Sequence, residues 1–249
     1  MSNKSVRSTR NKVRLGVNID HAATLRQVRA ATTGYPNMLE MVKLAKAGGA
    51  KQITIHLRED RRHIQDHDVI SLCKKSPLEI NLEMGATKEM LKIALKNLPT
   101  WVCMVPEKRA ELTTEGGLNI VKGFKNLETM THQLAKAKIK VSFFIEPLLD
   151  QVEASALAGA HAVEFHTGHW VMLTGAKKQA EYNKLVIAAT EAHRLGLRVH
   201  VGHGLDYAHA KLIKKLPHLV EANIGHSLIC YSLTGGLKLS VKKMVKALN

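Results

Sequence analysis

The sequence is poor in cysteine and has no long apolar run. Its three cysteines are widely spaced and form no C-x-x-C pair, so neither a disulfide framework nor a cysteine-rich metal site is expected. Apolar residues flank each cysteine (Cys73, Cys103 and Cys230), which predicts buried thiols in a reducing compartment. Because no apolar run approaches the roughly 20 residues that a membrane-spanning helix needs, we expect a soluble protein without a membrane partner.

Acidic and aromatic residues are also scarce. The chain has 21 Asp and Glu against 37 Lys and Arg, a net charge of +16, and 4% aromatic residues. A basic surface can attract nucleic acid, anionic membranes or anionic metabolites. The lysines are dispersed over the whole chain and few aromatic side chains could stack on bases, so nucleic acid is not expected as a partner.

The first fourteen residues hold five basic residues and no acid, and they lack the apolar stretch of a secretory signal. A short transit peptide would have little room, because a strand pattern begins by Val13. We therefore expect residues 1–12 to form a disordered basic tail and the protein to be cytoplasmic.

Several catalytic motifs are missing as well. No G-x-G-x-x-G turn follows the first strand pattern, where the chain reads Asn18-Ile19-Asp20-His21, and there is no H-E-x-x-H. His63 and His67 form a lone i, i+4 pair without an obvious third ligand. Lys108 is the only lysine at a predicted strand end, and charged neighbours of both signs favour an ion pair over a Schiff-base amine. These absences predict no organic cofactor and no metal.

Eight short apolar runs rich in β-forming residues alternate with longer segments of helical period. The predicted strands are 13–19, 52–57, 78–84, 101–105, 139–145, 161–166, 197–202 and 219–225. The clearest helical segments are 38–47, 87–98, 118–137 and 179–195. Several helices are expected to end in glycine, for example at 48–49, 159 and 196. A doubly wound sheet more often has five or six strands. The pattern therefore predicts an α/β fold, a single-domain (β/α)8 TIM barrel over 13–249 with extra short helices.

The carboxyl ends of the predicted strands are polar, and in such barrels the active site is built there. Five histidines lie at these ends (His21, His56, His166, His203 and His226). Three carboxylates fall in apolar β-rich runs, where a charge is costly without partners (Glu83, Glu146 and Glu164). Each residue alone could be a hydrogen-bonded strand end. Their convergence predicts general acid–base catalysis near neutral pH.

Two glycine motifs follow the last two strands. Segments 202–205 and 223–227 lie where barrels commonly bind phosphate through backbone N–H groups and a helix N-terminus. Either motif alone could be a tight turn, but together they predict a phosphate site. A second basic cluster follows strand two, and it suits an anion site or a solvated surface equally well (Arg58, Arg61, Arg62 and His63).

Eight strings in chain order resemble the pyridoxine 5′-phosphate synthase family: 16–21 (GVNIDH), 55–63 (IHLREDRRH), 81–84 (NLEM), 105–109 (VPEKR), 113–117 (TTEGG), 164–168 (EFHTG), 202–205 (GHGL) and 223–226 (NIGH). The resemblance implies a transferase-class, ring-closing synthase with two phosphorylated substrates. It would condense 1-deoxy-D-xylulose 5-phosphate with 3-amino-2-oxopropyl phosphate to give pyridoxine 5′-phosphate, phosphate and water, without metal or cofactor. It also implies a homo-octamer.

The resemblance further implies a role for each site residue. It assigns proton transfer to His56, Glu83 and His203. It assigns the stabilisation of transition-state charge to Glu164. It assigns the aminoketone phosphate to Asn18, Arg29, Gly204, Gly225 and His226. It assigns the deoxyxylulose phosphate to Asp20, His21, Arg58, His63 and Thr113. Segments 32–34 and 113–117 are candidate lids. Cys230 and Tyr231 depart from the family pattern, which has glycine and arginine there.

Two other functions stay open on the sequence. The charge of +16 would also suit a barrel recruited to bind RNA or an anionic surface, and a steep salt dependence of nucleic-acid binding would reveal it. A metal-dependent hydrolase on the same fold would carry a bound metal in elemental analysis.

Overall fold

The protein is a closed barrel of eight parallel strands in a computed structural model that describes residues 12–30, 32–113 and 116–249. The strands are β1 Arg14–Asn18, β2 Gln52–His56, β3 Glu79–Met84, β4 Trp101–Met104, β5 Lys140–Ile145, β6 Ala162–His166, β7 Arg198–Gly202 and β8 Leu219–Ile224. Each strand pairs with its neighbours in chain order, and β1 pairs with β8. The predicted (β/α)8 barrel is confirmed.

Eleven α-helices accompany the strands within these described residues. They are α1 Asp20–Gln27, α2 Met38–Gly48, α3 Asp66–Lys75, α4 Lys88–Asn97, α5 Ile120–Lys136, α6 Leu149–Leu157, α7 Gly168–Met172, α8 Gly175–Arg194, α9 Tyr207–Ile213, α10 His226–Gly235 and α11 Leu237–Leu248. The extra short helices that the sequence predicts are present in α7 and in a 3-10 turn at Arg109–Glu111.

Helix boundaries follow capping more closely than apolar period. The pattern at 118–137 becomes α5, which begins at Ile120 because the Asn119 side chain accepts a hydrogen bond from Lys122 N at 3.0 Å. The pattern at 179–195 becomes α8, which begins earlier, at Gly175. The first residues of α8 are mostly exposed, so they contribute no apolar period to the sequence.

Two glycines end helices as the sequence predicts. Gly49 follows α2 with φ 105°, and Gly196 follows α8 with φ 82°. Both angles lie in the left-handed region, which glycine enters without the steric cost that a Cβ imposes. Each glycine turns the chain back toward the next strand.

The strands bury apolar residues on their outer face and polar residues inside the barrel. Apolar side chains alternate with polar ones along each strand, for example Ile53 and Ile55 around Thr54 on β2. Polar side chains of β2 and β8 meet across β1: Gln52 Nε2 donates to Glu221 Oε1 at 2.7 Å. The apolar runs of the sequence are thus the surface that the helices cover, and the polar residues between them fill the interior of the barrel.

The described residues contain no helix that is both long and apolar enough to cross a membrane. Residues 1–11 of the predicted tail lie outside the described part of the chain. The prediction of three buried thiols is right for Cys103 alone, since Cys73 is half-buried and Cys230 is exposed. Cys230 on α10 is exposed although its neighbour in sequence, Ile229, is buried.

Candidate active site

A cavity of about 730 Å³ opens at the carboxyl ends of the strands. Its lining includes twelve of the fourteen predicted site residues: Asn18, Asp20, His21, His56, Arg58, His63, Glu83, Glu164, His203, Gly204, Gly225 and His226. The strand ends therefore bring the predicted residues together as the fold requires.

Two predicted residues do not line this cavity. Arg29 is exposed in the turn after α1. Thr113 closes its own loop, because its N–H donates to Gly117 O at 2.7 Å and its hydroxyl accepts from Gly117 N at 3.2 Å. Their roles in substrate binding stay predictions. Of the two candidate lids, 113–117 borders the cavity at Gly116, whereas Thr33 and Gly34 line a separate, smaller cavity.

His56 lies between two carboxylates. Its Nε2 is 3.1 Å from Glu107 Oε1, and its Nδ1 is 3.9 Å from Glu83 Oε2. Burial raises the pKa of Glu107, but hydrogen bonds from His56 and from Glu59 N more than offset it, so this pKa lies below its ordinary value. Glu107 is the negatively charged partner that orients the His56 ring, and sequence reasoning gave it no role.

Asp20 fixes the backbone under this histidine. Its Oδ1 accepts from His56 N at 2.9 Å, and its Oδ2 accepts from Asn18 Nδ2 at 2.8 Å. Burial raises the pKa of Asp20 to about 6 despite these bonds. Three ligand atoms, one each from Asp20, His56 and Glu83, lie within 4.8 Å of one another. Among the described residues this is the group that could hold a cation.

Glu83 and Glu164 are carboxyls suited to holding a proton at neutral pH. Burial raises the pKa of Glu83 well above its ordinary value, and the charges of Glu164 and Asp20 add to the effect. Burial also raises the pKa of Glu164 to about 8, against a hydrogen bond of 2.6 Å from Asn223 Nδ2. Each can give a proton to a substrate and take it back as charge develops.

The raised pKa of Glu164 predicts that the free energy of unfolding depends on pH. Its folded-state pKa is raised, so its contribution to stability is complete below its unfolded pKa and is lost as pH rises through about 8. We expect Glu164→Gln to lose less free energy of unfolding than the wild type between pH 6 and pH 9, measured by urea denaturation. Glu153→Gln, at an exposed site on α6, is the control. Equal losses in wild type and Glu164→Gln would contradict the assignment.

His203 is the first residue after β7, and its backbone is strained. Its φ is 75°, in the left-handed region that residues with a Cβ rarely adopt, and Gly204 follows with φ 79°. The Thr167 hydroxyl holds this turn through Gly202 O at 2.8 Å and His203 O at 2.7 Å. Burial lowers the pKa of His203, and the charge of His166 lowers it further. The ring is therefore neutral at pH 7 and ready to accept a proton.

The basic cluster after β2 divides between cavity and surface. Arg58 and His63 line the cavity. Arg61 is held by carboxylates of α3 and α4, with Nε 3.0 Å from Asp66 Oδ2 and Nη2 2.6 Å from Glu89 Oε1. Arg62 pairs with Asp60 at 2.5 Å. Arg61 and Arg62 are thus paired with carboxylates, whereas an anion site at Arg58 and His63 stays a prediction.

His63 is a neutral donor on this side of the cavity. Its Nδ1 accepts from Ile64 N at 2.9 Å, so the proton of the neutral ring lies on Nε2. Burial lowers the pKa of His63 to about 4, and the positive charges of His56 and Arg58 contribute. Arg58 is thus the full positive charge of the pair, and its Nε lies 3.7 Å from Asp60 Oδ1.

The N-terminus of α10 forms another part of the cavity lining. Gly225 precedes the helix, and a Cβ there would lie 2.9 Å from Asn18 Cβ, so glycine lets β8 and β1 approach each other. The rings of His21 and His226 meet edge to face with centroids 5.0 Å apart. Free N–H groups and the helix dipole suit an anion at such an end. Lys108 lies outside the cavity and pairs with Glu59 at 3.6 Å, which confirms the expected ion pair.

The chain matches known proteins over almost its whole length. The family model described as pyridoxal phosphate biosynthesis protein PdxJ matches residues 15–249. The pyridoxine 5′-phosphate synthase of Bdellovibrio bacteriovorus is 62% identical over 239 residues, 96% of this chain and 99% of that protein. The chain belongs to the pyridoxine 5′-phosphate synthase family. The synthase of Photobacterium profundum is 48% identical over 235 residues, covering 94% and 96% of the two chains.

Membership in the pyridoxine 5′-phosphate synthase family confirms the resemblance seen in the sequence and makes the chain an enzyme of vitamin B6 biosynthesis. Solved structures agree on the barrel. The 3-hexulose-6-phosphate synthase of Salmonella typhimurium superposes with a TM-score of 0.66 at 12% identity, over 95% of this chain and 98% of that one. The phosphoribosylanthranilate isomerase of Thermotoga maritima gives 0.59 at 10%, over 95% and 98%. Identities this low support the fold alone.

Proposed function

We propose that the protein condenses 1-deoxy-D-xylulose 5-phosphate with 3-amino-2-oxopropyl phosphate, giving pyridoxine 5′-phosphate, phosphate and water by general acid–base catalysis. One observation carries the mechanism: His56, Glu83, Glu164 and His203 converge in a single cavity, and no lysine is among the described residues that line it. Family membership supports the product.

The chemistry asks for proton transfers and no change of oxidation state. The amine of one substrate attacks the ketone of the other, a C–N bond forms and water leaves. Loss of phosphate, a further dehydration and formation of a C–C bond then close the aromatic ring. Because the substrate brings the nitrogen, the site needs no lysine to form an imine. Each step needs a group that gives or takes a proton.

The side chains divide these transfers between two sides of the cavity. Glu107 orients the His56 ring, and Glu83 stands 3.9 Å from its other nitrogen, so His56 and Glu83 can exchange a proton through a bound hydroxyl or water. His203, neutral in the free site, accepts a proton on the far side. Glu164 is the most buried of the four, and once it has given up its proton its carboxylate balances positive charge that develops on the imine nitrogen.

Two phosphates need two anion sites, and the cavity lining offers two candidates. Gly204, Gly225 and the start of α10 can present backbone N–H groups to a phosphate, which supports the aminoketone phosphate there. Arg58 and His63 support the deoxyxylulose phosphate at the loop after β2. In this assignment the reacting carbons meet between the two phosphates, near Glu83 and Glu164.

We further propose that the enzyme works in the cytoplasm as a homo-octamer. Large apolar side chains on the surface of the single chain support association, among them Val28, Leu157, Met172 and Leu233, each at least 72% exposed. Light scattering of the purified protein measures the assembly, and a monomer at working concentration would contradict it.

The test of the function is a product assay. Purified protein mixed with both phosphorylated substrates, in the presence of a chelator, is expected to form pyridoxine 5′-phosphate and an equal amount of free phosphate. The chelator matters because Asp20, His56 and Glu83 could hold a cation. Absence of product with metal supplied or withheld would refute the function, and product that appears only with metal would refute the metal-free mechanism.

A further inference from the structure

A second carboxylate–histidine pair lies beside His203 and has no part in the mechanism above. Glu146 is the first residue after β5 and is fully buried, and His166 is the last residue of β6 and lines the cavity. His166 Nδ1 and Glu146 Oε1 are 2.7 Å apart, a short hydrogen bond between groups that can both carry charge. We call these two residues the buried pair.

The hydrogen bond fixes the histidine. A carboxylate oxygen can only accept when ionised, so Nδ1 of His166 carries the proton and donates it. The other oxygen, Glu146 Oε2, is buried without a hydrogen-bond partner among the described residues. His166 is therefore the main counter-charge that the structure provides for Glu146. When the His166 ring is protonated, Glu146 is the counter-charge in contact with it.

His166 also touches the predicted catalytic histidine. The rings of His166 and His203 meet edge to face with centroids 5.0 Å apart. Gly168 leaves the two rings in contact, since a Cβ there would lie 2.6 Å from His166 Nε2 and 2.8 Å from His203 Cδ2. A side chain at position 168 would require one of the two rings or the backbone to move.

We propose that the buried pair positions His203 for proton transfer: Glu146 holds the His166 ring, and His166 places a positive charge beside His203, so that His203 enters the reaction neutral. His166 acts through His203 and is a positioning residue. The role rests on the proposed function, because that function assigns proton transfer to His203.

The other charged groups of the cavity lie on several different strands, helices and loops. The remaining titratable and charged groups of the described lining come from α1, β2 and the loop after it, β3, β6 and α10, and they are Asp20, His21, His56, Arg58, His63, Glu83, Glu164 and His226. None of these groups is a cause of the lowered pKa of His203. The causes are burial and the charge of His166. Removing the charge of His166 therefore raises the pKa of His203.

Two substitutions test the proposal. His166→Gln keeps a donor for Glu146 but removes the charge, and Glu146→Gln keeps an acceptor for His166 but removes its counter-charge. In both we expect the limb of the pH profile of kcat/KM that reports His203 to move to higher pH by about one unit. The direction is the same whether His203 acts as base or acid. The double variant is expected to move the limb no further than His166→Gln alone.

A second measurement does not depend on activity. Histidine labelled with carbon-13 at Cε1 gives the titration of His203 in the free protein, with the signal assigned by its loss in His203→Gln. Its midpoint is expected to rise in both variants and to stay in place in His132→Gln, an exposed site on α5. If the substrates are wrong, turnover fails in the wild type while the titration still moves. A midpoint that stays or falls, with a rate lowered equally at every pH, would overturn the proposal and leave the buried pair a structural role.

Discussion

Glu83→Gln is expected to lower kcat by about 10²- to 10⁴-fold while the protein folds and binds substrate nearly as before. Glu83 lies on β3 with its carboxyl 3.9 Å from His56 Nδ1, and burial holds its pKa well above the ordinary value. A carboxyl in that state can give a proton and recover it within one cycle. Glutamine has the same shape and no proton to exchange, so the loss falls on kcat rather than on KM.

The matched control lies on the same strand. Glu79→Gln changes a carboxylate at the other end of β3, where it pairs with Arg14 outside the cavity, and kcat is expected to stay within a few-fold of the wild type. Urea denaturation separates chemistry from folding. Because Glu83→Gln removes a desolvated carboxyl next to Asp20 and Glu164, its free energy of unfolding should not fall. A variant that turns over at nearly the wild-type rate would show that Glu83 is not the acid–base group.

Sequence alone was enough for the fold and for the position of the site. Strand and helix patterns repeat eight times, and an eightfold repeat of parallel strands closes into a barrel whose active site is at the carboxyl ends. The alternation along β2, where Ile53 and Ile55 flank Thr54, already separates the face toward the helices from the face toward the interior. Local rules of this kind need no knowledge of distant contacts.

The sequence could not show which site residues contact each other, because these contacts depend on how the barrel curves. Glu107 meets His56 across 51 residues, and Glu146 meets His166 across 20. His56, Glu146 and His166 were recognised at strand ends, but nothing local says which histidine faces which carboxylate. Arg29 is a similar case. The family resemblance implies that it binds substrate, and in the structure it is exposed in the turn after α1.

Gly202→Ala is expected to lower kcat by about 100-fold and the free energy of unfolding by about 1–3 kcal/mol. A Cβ at Gly202 would lie 1.9 Å from Glu164 Oε1. Glu164 has no room to yield, because Asn223 Nδ2 donates to its Oε2 at 2.6 Å and Thr54 Oγ1 donates to Asn223 Oδ1 at 3.1 Å. Asn223 in turn fills the space over Gly16, where a Cβ would be 1.9 Å from Oδ1. The methyl group must therefore displace the carboxyl to which the proposed function assigns the balancing of charge.

Glu164→Ala supplies the decisive comparison. It removes the carboxyl that the methyl group strikes, so Gly202→Ala added to Glu164→Ala should cost far less stability and almost no further activity than it does alone. Gly235→Ala, at the end of α10 with Leu239 Cδ2 at an ordinary 3.5 Å, is the control and should leave both quantities nearly unchanged. Additive losses in the double variant would mean that Gly202 acts through the backbone of β7 and not through Glu164. Non-additive losses would identify the packing of Gly202 against Glu164 as the contact that places the carboxyl.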